Sequence, residues 1–164
     1  MTAVDVAALN REMVENFLYC EARLCDENAY DAWQALWTDD GVYWVPVNAD
    51  DYDPNRHLSI IYDDRAQLQD RLDRLKSGKA WAQEPHSRMC RIVSNVEIGP
   101  ILENGDLEVR SKYVLGELRD GRQTTYFARQ LHFLRADPNG LRMSFKKVML
   151  VNNDEPIHNL TFLV

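Results

Sequence analysis

The sequence predicts an α+β fold in which helices come first and a curved antiparallel sheet follows. Three observations carry that expectation. Apolar residues step by three or four near the start, through Val6, Leu9, Met13, Phe17, Cys20 and Leu24, then Tyr30, Trp33, Leu36 and Trp37. From Arg88 onward the period changes to two. The turn signals Asn104-Gly105, Asp120-Gly121 and Asp137-Pro138-Asn139-Gly140 cut that region into four long strands, because Asn-Gly and Asp-Gly supply the positive φ angles of tight hairpins.

The first helix is capped at Asp5 and stopped by the polar run Asp26-Glu27-Asn28. A short second helix presents Tyr30, Trp33, Leu36 and Trp37, so two amphipathic helices share one partner surface. Thr38-Asp39-Asp40-Gly41 then turns the chain into Val42–Val47, a β-branched and aromatic run that reads as a buried strand, with Pro46 placing it at an edge or at its own end. Asn48–His57 is a polar, acidic loop. Ile60-Ile61-Tyr62 leads to Asp63-Asp64, caps for a third helix with the stripe Leu68, Leu72 and Leu75, and Ser77-Gly78 ends it. Beyond Arg88, Ile92, Ser94, Val96 and Ile98 form one alternating strand, and Leu107, Val109, Ser111, Tyr113 and Leu115 a second. Thr124–Arg135 and Leu141–Val151 complete a meander with no parallel crossover. Helices gathered at one end of such a sheet roll it into a cone of the nuclear-transport-factor-like (cystatin-like) type.

The chain of 164 residues suits one domain, 1–164. Its start lacks the basic flank and apolar core of a signal peptide, and no run approaches the ~20 apolar residues of a membrane span, so a cytoplasmic location is expected. The net charge of −7 argues against nonspecific nucleic-acid binding. Its distribution is uneven: residues 1–64 hold 3 basic and 14 acidic groups (−11), residues 65–164 hold 16 and 12 (+4). The downstream basic residues alternate with apolar ones and read as a solvated face. Cys20 and Cys25 are separated by about 500° of helical rotation, so with Cys90 they read as reduced thiols.

Motifs for chemistry are sparse. A Rieske cluster requires Cys-x-His and Cys-x-x-His pairs, and Cys20, Cys25 and Cys90 have no histidine within three positions. His57, His86, His132 and His158 are isolated in sequence, and there is no Gly-x-Ser-x-Gly elbow, Walker loop or dinucleotide fingerprint. Ser94 and Ser111 read as small polar fillers of the curved sheet. His132, on one strand face with Tyr126 and Leu134, is the best candidate for proton transfer inside a cone, with Tyr19, Tyr43 and Tyr113 as companions. The plainer reading makes it a hydrogen-bonded or solvent-facing sheet histidine.

The middle of the chain resembles a known family. The run Ile60-Ile61-Tyr62-Asp63-Asp64-Arg65, with Leu68, Arg71, Leu72, Arg74 and Leu75, then Ser77-Gly78, Ala80-Trp81-Ala82-Gln83-Glu84-Pro85 and Ser87-Arg88, resembles the small (β) subunit of aromatic-ring-hydroxylating dioxygenases. Phe17-Leu18-Tyr19, Glu21-Ala22-Arg23-Leu24 and Asp26-Glu27 are similar to its first helix. Tyr43-Trp44-Val45-Pro46, Ser94-Asn95-Val96 and Asn159-Leu160-Thr161-Phe162-Leu163 extend the likeness over nearly the whole chain. The resemblance implies a non-catalytic cone-fold partner without a cofactor of its own. The Rieske 2Fe-2S cluster and the mononuclear Fe(II) are then expected in a catalytic large (α) subunit, with a homotrimer of small subunits inside an α3β3 assembly. Other readings are a stand-alone cone-fold isomerase or dehydratase using His132, and a ligand-binding protein.

The arginine- and aromatic-rich run between Tyr62 and Arg88 suits recognition of another chain. The candidate interface comprises Arg65, Arg71, Trp81, Pro85 and Arg88. The tail residues Leu160, Phe162 and Leu163 join it, since so apolar an ending is costly in water unless something covers it. The alternative is that the tail completes its own subunit.

Overall fold

The computed structural model describes residues 9–48, 53–77, 85–157 and 160–164. Helix α1 (Arg11–Asp26) starts where the Asn10 side chain accepts the Met13 N–H at 2.9 Å. The Asp5 cap and Val6 expected from the sequence lie outside the described residues. The buried stripe is rotated from the expected one. Val14, Phe17, Leu18, Glu21, Ala22, Leu24 and Cys25 turn inward, while Met13 is 39% exposed.

Helix α2 (Tyr30–Gln34) is shorter than the periodicity suggests, and Trp37 opens strand β1 (Trp37–Pro46) instead. The Leu36 carbonyl is taken by the Met143 N–H at 2.7 Å, so the sheet captures the chain before a further helical turn forms. Trp33, Trp37 and Tyr43 form an aromatic trio with ring centroids 5.4–6.0 Å apart. Strand β2 (Ser59–Asp63) pairs antiparallel with β1, with Ile61, Tyr62 and Asp63 opposite Val45, Trp44 and Tyr43. Helix α3 (Arg65–Lys76) carries a complete capping box: the Asp64 side chain accepts the Gln67 N–H at 2.9 Å, and the Gln67 side chain accepts the Asp64 N–H at 3.0 Å. Its stripe Leu68, Leu72 and Leu75 is buried as the spacing requires.

Strands β3 (Arg88–Ile101), β4 (Leu107–Arg119), β5 (Arg122–Asp137) and β6 (Gly140–Leu150) form the expected meander. Asp120 (φ 50°) and Gly121 (φ 70°) make the two-residue turn between Arg119 and Arg122. Two features depart from the sequence reading. The sheet order among the described residues is β2-β1-β6-β5-β4-β3, so β1 lies between β2 and β6, and it runs parallel to β6. Pro46 therefore marks the end of β1, not an edge strand, and the register shifts there. The phase of β3 is also reversed. Ile92 is 65% exposed and Ser94 and Ile98 face outward, while Arg91 and Val93 turn toward the core. Asn95, at φ 52°, sits in a bulge that restarts the alternation and leaves Val96 packed on the core.

Helices α1 and α3 pack at the two sides of this curved sheet, α1 against β3 and α3 against β1 and β2. The cone expected from the sequence is the fold observed. One close approach limits substitution within β1: a Cβ at Gly41 would lie 2.7 Å from Trp37 Cε3, on a residue that is 1% exposed. Gly41→Ala is expected to destabilise the chain by about 1–3 kcal/mol through overpacking. Urea unfolding with the m-value unchanged is the measurement.

Candidate functional site

Seven polar or aromatic side chains, one from each of seven elements, converge inside the cone. Glu21 comes from α1, Trp33 from α2, Tyr43 from β1, Tyr113 from β4, His132 from β5 and Lys146 from β6, with Arg91 of β3 beside them. Glu21 and Lys146 are 2% and 1% exposed, and Lys146 Nζ donates to Glu21 Oε1 at 2.7 Å. Trp33 Nε1 donates to the same oxygen at 2.7 Å. Lys146 Nζ also lies 5.8 Å from the Trp33 ring and 5.6 Å from the Tyr43 ring.

Burial opposes ionisation of Glu21, but the adjacent ammonium and two donated hydrogen bonds outweigh it and hold the carboxyl near pKa 2. His132 is fully buried, and neither ring nitrogen meets a hydrogen-bond partner among the described residues. Burial and the Lys146 charge lower it to about 4 against the pull of Glu21, so it stands neutral at physiological pH. Burial pushes the Cys25 thiol up to about 12, with Glu21 adding to it, and raises Tyr43 and Tyr113 as well. These shifts all favour inert protonation states. Of the companions proposed for His132, Tyr43 and Tyr113 share its chamber, while Tyr19 is 47% exposed on the other side of α1.

The tail closes this chamber from within. The Tyr43 hydroxyl donates to the Val164 oxygen at 2.5 Å and accepts the Val164 N–H at 3.1 Å. Arg91 binds both Asp26 of α1 and the Leu163 carbonyl. Phe162 meets Tyr126 edge-on at 5.7 Å, and Arg119 Nη1 donates to Thr161 Oγ1 at 3.1 Å. Phe162 and Leu163, expected as partner contacts, are instead 5% and 1% exposed within their own chain, because the cone interior supplies the cover that their apolar surface requires. Leu160 is half-buried.

The remaining interface candidates are dispersed. Arg65 opens α3 half-buried, with Nη1 enclosed and without a hydrogen bond among the described residues. Arg71 is held by Asp63 through Nε at 2.5 Å and Nη2 at 3.2 Å. Trp81 lies outside the described residues. Pro85 and Arg88 are exposed, and Arg88 begins β3, the sheet edge opposite the β1–β2 edge that α3 covers. Sequence reasoning missed Glu21, Arg91 and Lys146. The downstream basic residues, which as a group read as a solvated face, include two exceptions, Lys146 and Lys147, at 1% and 7% exposed: Lys146 is drawn in by Glu21, and Lys147 Nζ sits 4.0 Å over the Trp44 ring. The signal available was Glu21 on the apolar side of α1, four residues from Phe17 and Cys25. Among the described residues no group of three or more His, Cys, Asp or Glu is placed to hold a metal.

The fold and this closed interior define a cone-fold protein of the cystatin-like class. A solved protein described as NTF2-like with a cystatin-like fold, from Novosphingobium aromaticivorans, matches with a TM-score of 0.59 over 88% of this chain and 84% of its own at 16% identity. Residues 20–154 match the family model described as ring hydroxylating beta subunit, and the chain belongs to that family. It is 33% identical over 145 residues to the anthranilate 1,2-dioxygenase small subunit of Acinetobacter baylyi, covering 85% of this chain and 88% of that one. The crystal structure of the beta subunit of the benzoate 1,2-dioxygenase from Burkholderia mallei superposes with a TM-score of 0.75 at 26% identity, over 99% of this chain and 100% of the other. The chain is thus the small, non-catalytic subunit of an aromatic-ring-hydroxylating dioxygenase.

Two predictions follow from the interior chemistry. Lys146→Met leaves Glu21 buried without its cation and is expected to cost about 3–5 kcal/mol. Adding Glu21→Gln, which keeps an acceptor for Trp33, should recover part of that loss in the same urea titration. The pH dependence comes in two steps. His132 refuses a proton in the fold until about pH 4 but accepts it near 6.5 when unfolded, so stability falls as pH drops through that window. Glu21 then withdraws its contribution as pH falls from 4.5 toward about 2. His132→Phe should flatten the upper step, on the order of 3 kcal/mol, and leave the lower one.

Proposed function

We propose that this chain, as one cone-fold domain in the cytoplasm, forms a homotrimeric core that carries three catalytic large subunits in an α3β3 oxygenase. The large subunit would hold the Rieske 2Fe-2S cluster and the mononuclear Fe(II), and the aromatic compound, O2 and reducing equivalents would meet there. The observation that carries this reading is the use of the cone's interior. The place where a lone cone enzyme would bind its substrate is occupied by the chain's own tail and by a buried ion pair, so function passes to the outer surfaces.

For the large subunit we propose the exposed Pro85 and Arg88, the half-buried Arg65 and Leu160, and Trp81 between them in sequence, as the docking residues. Arg71 serves by anchoring α3 through Asp63, and Phe162 and Leu163 by bracing the tail from inside. An aromatic ring and guanidinium groups of this kind are enriched at binding hot spots. The relatives named for anthranilate and benzoate make those two acids the first substrates to assay.

Co-expression with a large chain that bears Rieske and iron-triad motifs is expected to yield a stable complex with oxygenase activity. Trp81→Ala combined with Arg88→Ala should weaken that complex at least tenfold while the isolated chain keeps its melting temperature. A large chain that is fully active and never co-purifies with this one would overturn the reading. Deleting residues 160–164 is expected to destabilise the isolated chain by about 5 kcal/mol, since Phe162, Leu163 and Val164 lose their burial.

A further inference from the structure

Two of the hairpin turns contain the same dipeptide, Asn104-Gly105 between β3 and β4 and Asn139-Gly140 between β5 and β6. No other asparagine in the chain precedes a glycine. Beyond its turn geometry this pair carries a chemistry. The backbone nitrogen that follows an asparagine is a nucleophile within reach of the side-chain carboxamide carbon. Glycine, without a Cβ, obstructs that attack least and leaves the chain free to reach the necessary geometry. By sequence the two sites stand equal. The structure separates them.

At Asn104 both reacting groups are occupied. Its Oδ1 accepts the Asp106 N–H at 3.1 Å, and its Nδ2 donates to Asp106 Oδ2 at 2.9 Å. The Gly105 N–H donates to the Leu102 carbonyl at 2.9 Å. Asp106 is itself fully buried, held by Arg135 at 2.8 and 3.0 Å and by Ser144 at 2.5 Å. Turning the carboxamide toward Gly105 therefore breaks two bonds to a residue that cannot follow. At Asn139 that lock is missing. Its backbone N–H donates to Asp137 Oδ1 at 3.0 Å, but its exposed carboxamide has no partner among the described residues. Gly140, at φ 134°, pairs with Asp137 in the last rung of the ladder, braced by Arg142 Nε 3.5 Å from Asp137 Oδ2. A terminal rung opens at far lower cost than the interior of a sheet. Opening it frees the Gly140 nitrogen beside a carboxamide that is free to rotate.

We propose that Asn139 is a modification site, deamidating spontaneously through a cyclic imide to an isoaspartyl residue, while the Asp106 lock spares Asn104. The Gly140 nitrogen bonds to Asn139 Cγ as the Cγ–Nδ2 bond breaks, and the proton displaced from Gly140 leaves with Nδ2 as ammonia. Water then adds to one of the two ring carbonyls. Cleavage at the main-chain carbonyl leaves the chain running through Cγ with a free α-carboxylate, and cleavage at Cγ gives an aspartyl residue. No oxidant or reductant takes part. The isoaspartyl product adds a negative charge beside Asp137 and a methylene to the backbone that joins β5 to β6. Its exposed carboxylate suits a carboxyl methyltransferase that uses a sulfonium methyl donor.

The test incubates the full chain, folded, at mildly alkaline pH in 18O-labelled water, beside a parallel sample in concentrated guanidinium chloride. Brief digestion and fragmentation mass spectrometry then follow each asparagine separately. In the folded chain Asn139 is expected to convert at least tenfold faster than Asn104, with 18O taken up. Isoaspartate should be the main product, read by enzymatic methyl transfer from S-adenosylmethionine. Unfolding should bring the two rates within a few-fold of each other. Asn139→Gln, at an exposed turn position, should remove the methyl acceptance of the folded chain and leave its melting temperature unchanged. No conversion of Asn139 in the folded chain, equal rates at the two sites there, or aspartate as the sole product overturns the proposal. A rate gap that survives unfolding overturns it too, by assigning the difference to neighbouring sequence instead of the Asp106 lock.

Discussion

Glu21 and Lys146, 2.7 Å apart in the middle of the cone, join the first helix to the last strand. The rest of the fold is arranged around that contact. Two charges removed from water carry a desolvation penalty of several kcal/mol per ion, and only close geometry with further hydrogen bonds offsets it. Here the same carboxylate oxygen takes the ammonium and the Trp33 indole, while the Trp33 and Tyr43 rings flank the cation. An apolar stripe can slide or rotate by a residue at modest cost, whereas an ion pair of this kind cannot. The rotation of α1 follows from this: Glu21 is turned inward, and Met13 is left at the surface although its spacing matches the apolar step.

A second set of polar contacts seals the open side. Arg91 links the C-terminal end of α1, through Asp26, to the Leu163 carbonyl, and its side chain is 2% exposed in doing so. Tyr43 uses its hydroxyl both as donor and as acceptor on Val164. Glu21, Lys146, Arg91 and Tyr43 thus commit hydrogen bonds to structure, while His132 and the Tyr113 hydroxyl stand enclosed without a hydrogen-bond partner among the described residues. A general base needs a pKa near the working pH and a path to its substrate. His132 has a pKa near 4 and no exposure, so it meets neither condition. The cone that in other proteins is a vessel is here a strut.

The local features were legible because they depend on near neighbours. The Asp64–Gln67 capping box, the Leu68–Leu72–Leu75 stripe, the three hairpin turns and the inward set Leu107, Val109, Ser111, Tyr113 and Leu115 each follow from spacing and turn chemistry. What escaped depends on partners far apart in the chain. Nothing within a few residues of Lys146 reveals that a carboxylate 125 positions earlier will bury it. The phase of β3 was read from its most apolar residues, Ile92 and Ile98, yet it is Arg91 that faces inward because Asp26 and the tail receive it. The parallel pairing of β1 with β6 was equally hidden, since it joins segments about a hundred residues apart. The site was legible as a family likeness, while the interior ion pair was not.

The reversed phase of β3 bears on how such a subunit can work. A strand that turns Arg91 and Val93 inward must present Ile92 outward, and register then aligns Ile92 with Val114 and Phe127. The outer apolar row is thus coupled to the inner polar staple through the period of two, because a one-residue slip would exchange the two faces. Any substitution that weakened the Arg91–Asp26 contact enough to let β3 slip would turn Ile92 toward the polar chamber and the Arg91 guanidinium outward. The bulge at Asn95 confines that coupling to the half of β3 before it, since alternation restarts there. The closure of the interior and the character of the exterior are consequently one constraint, set by a single strand at the edge of the sheet.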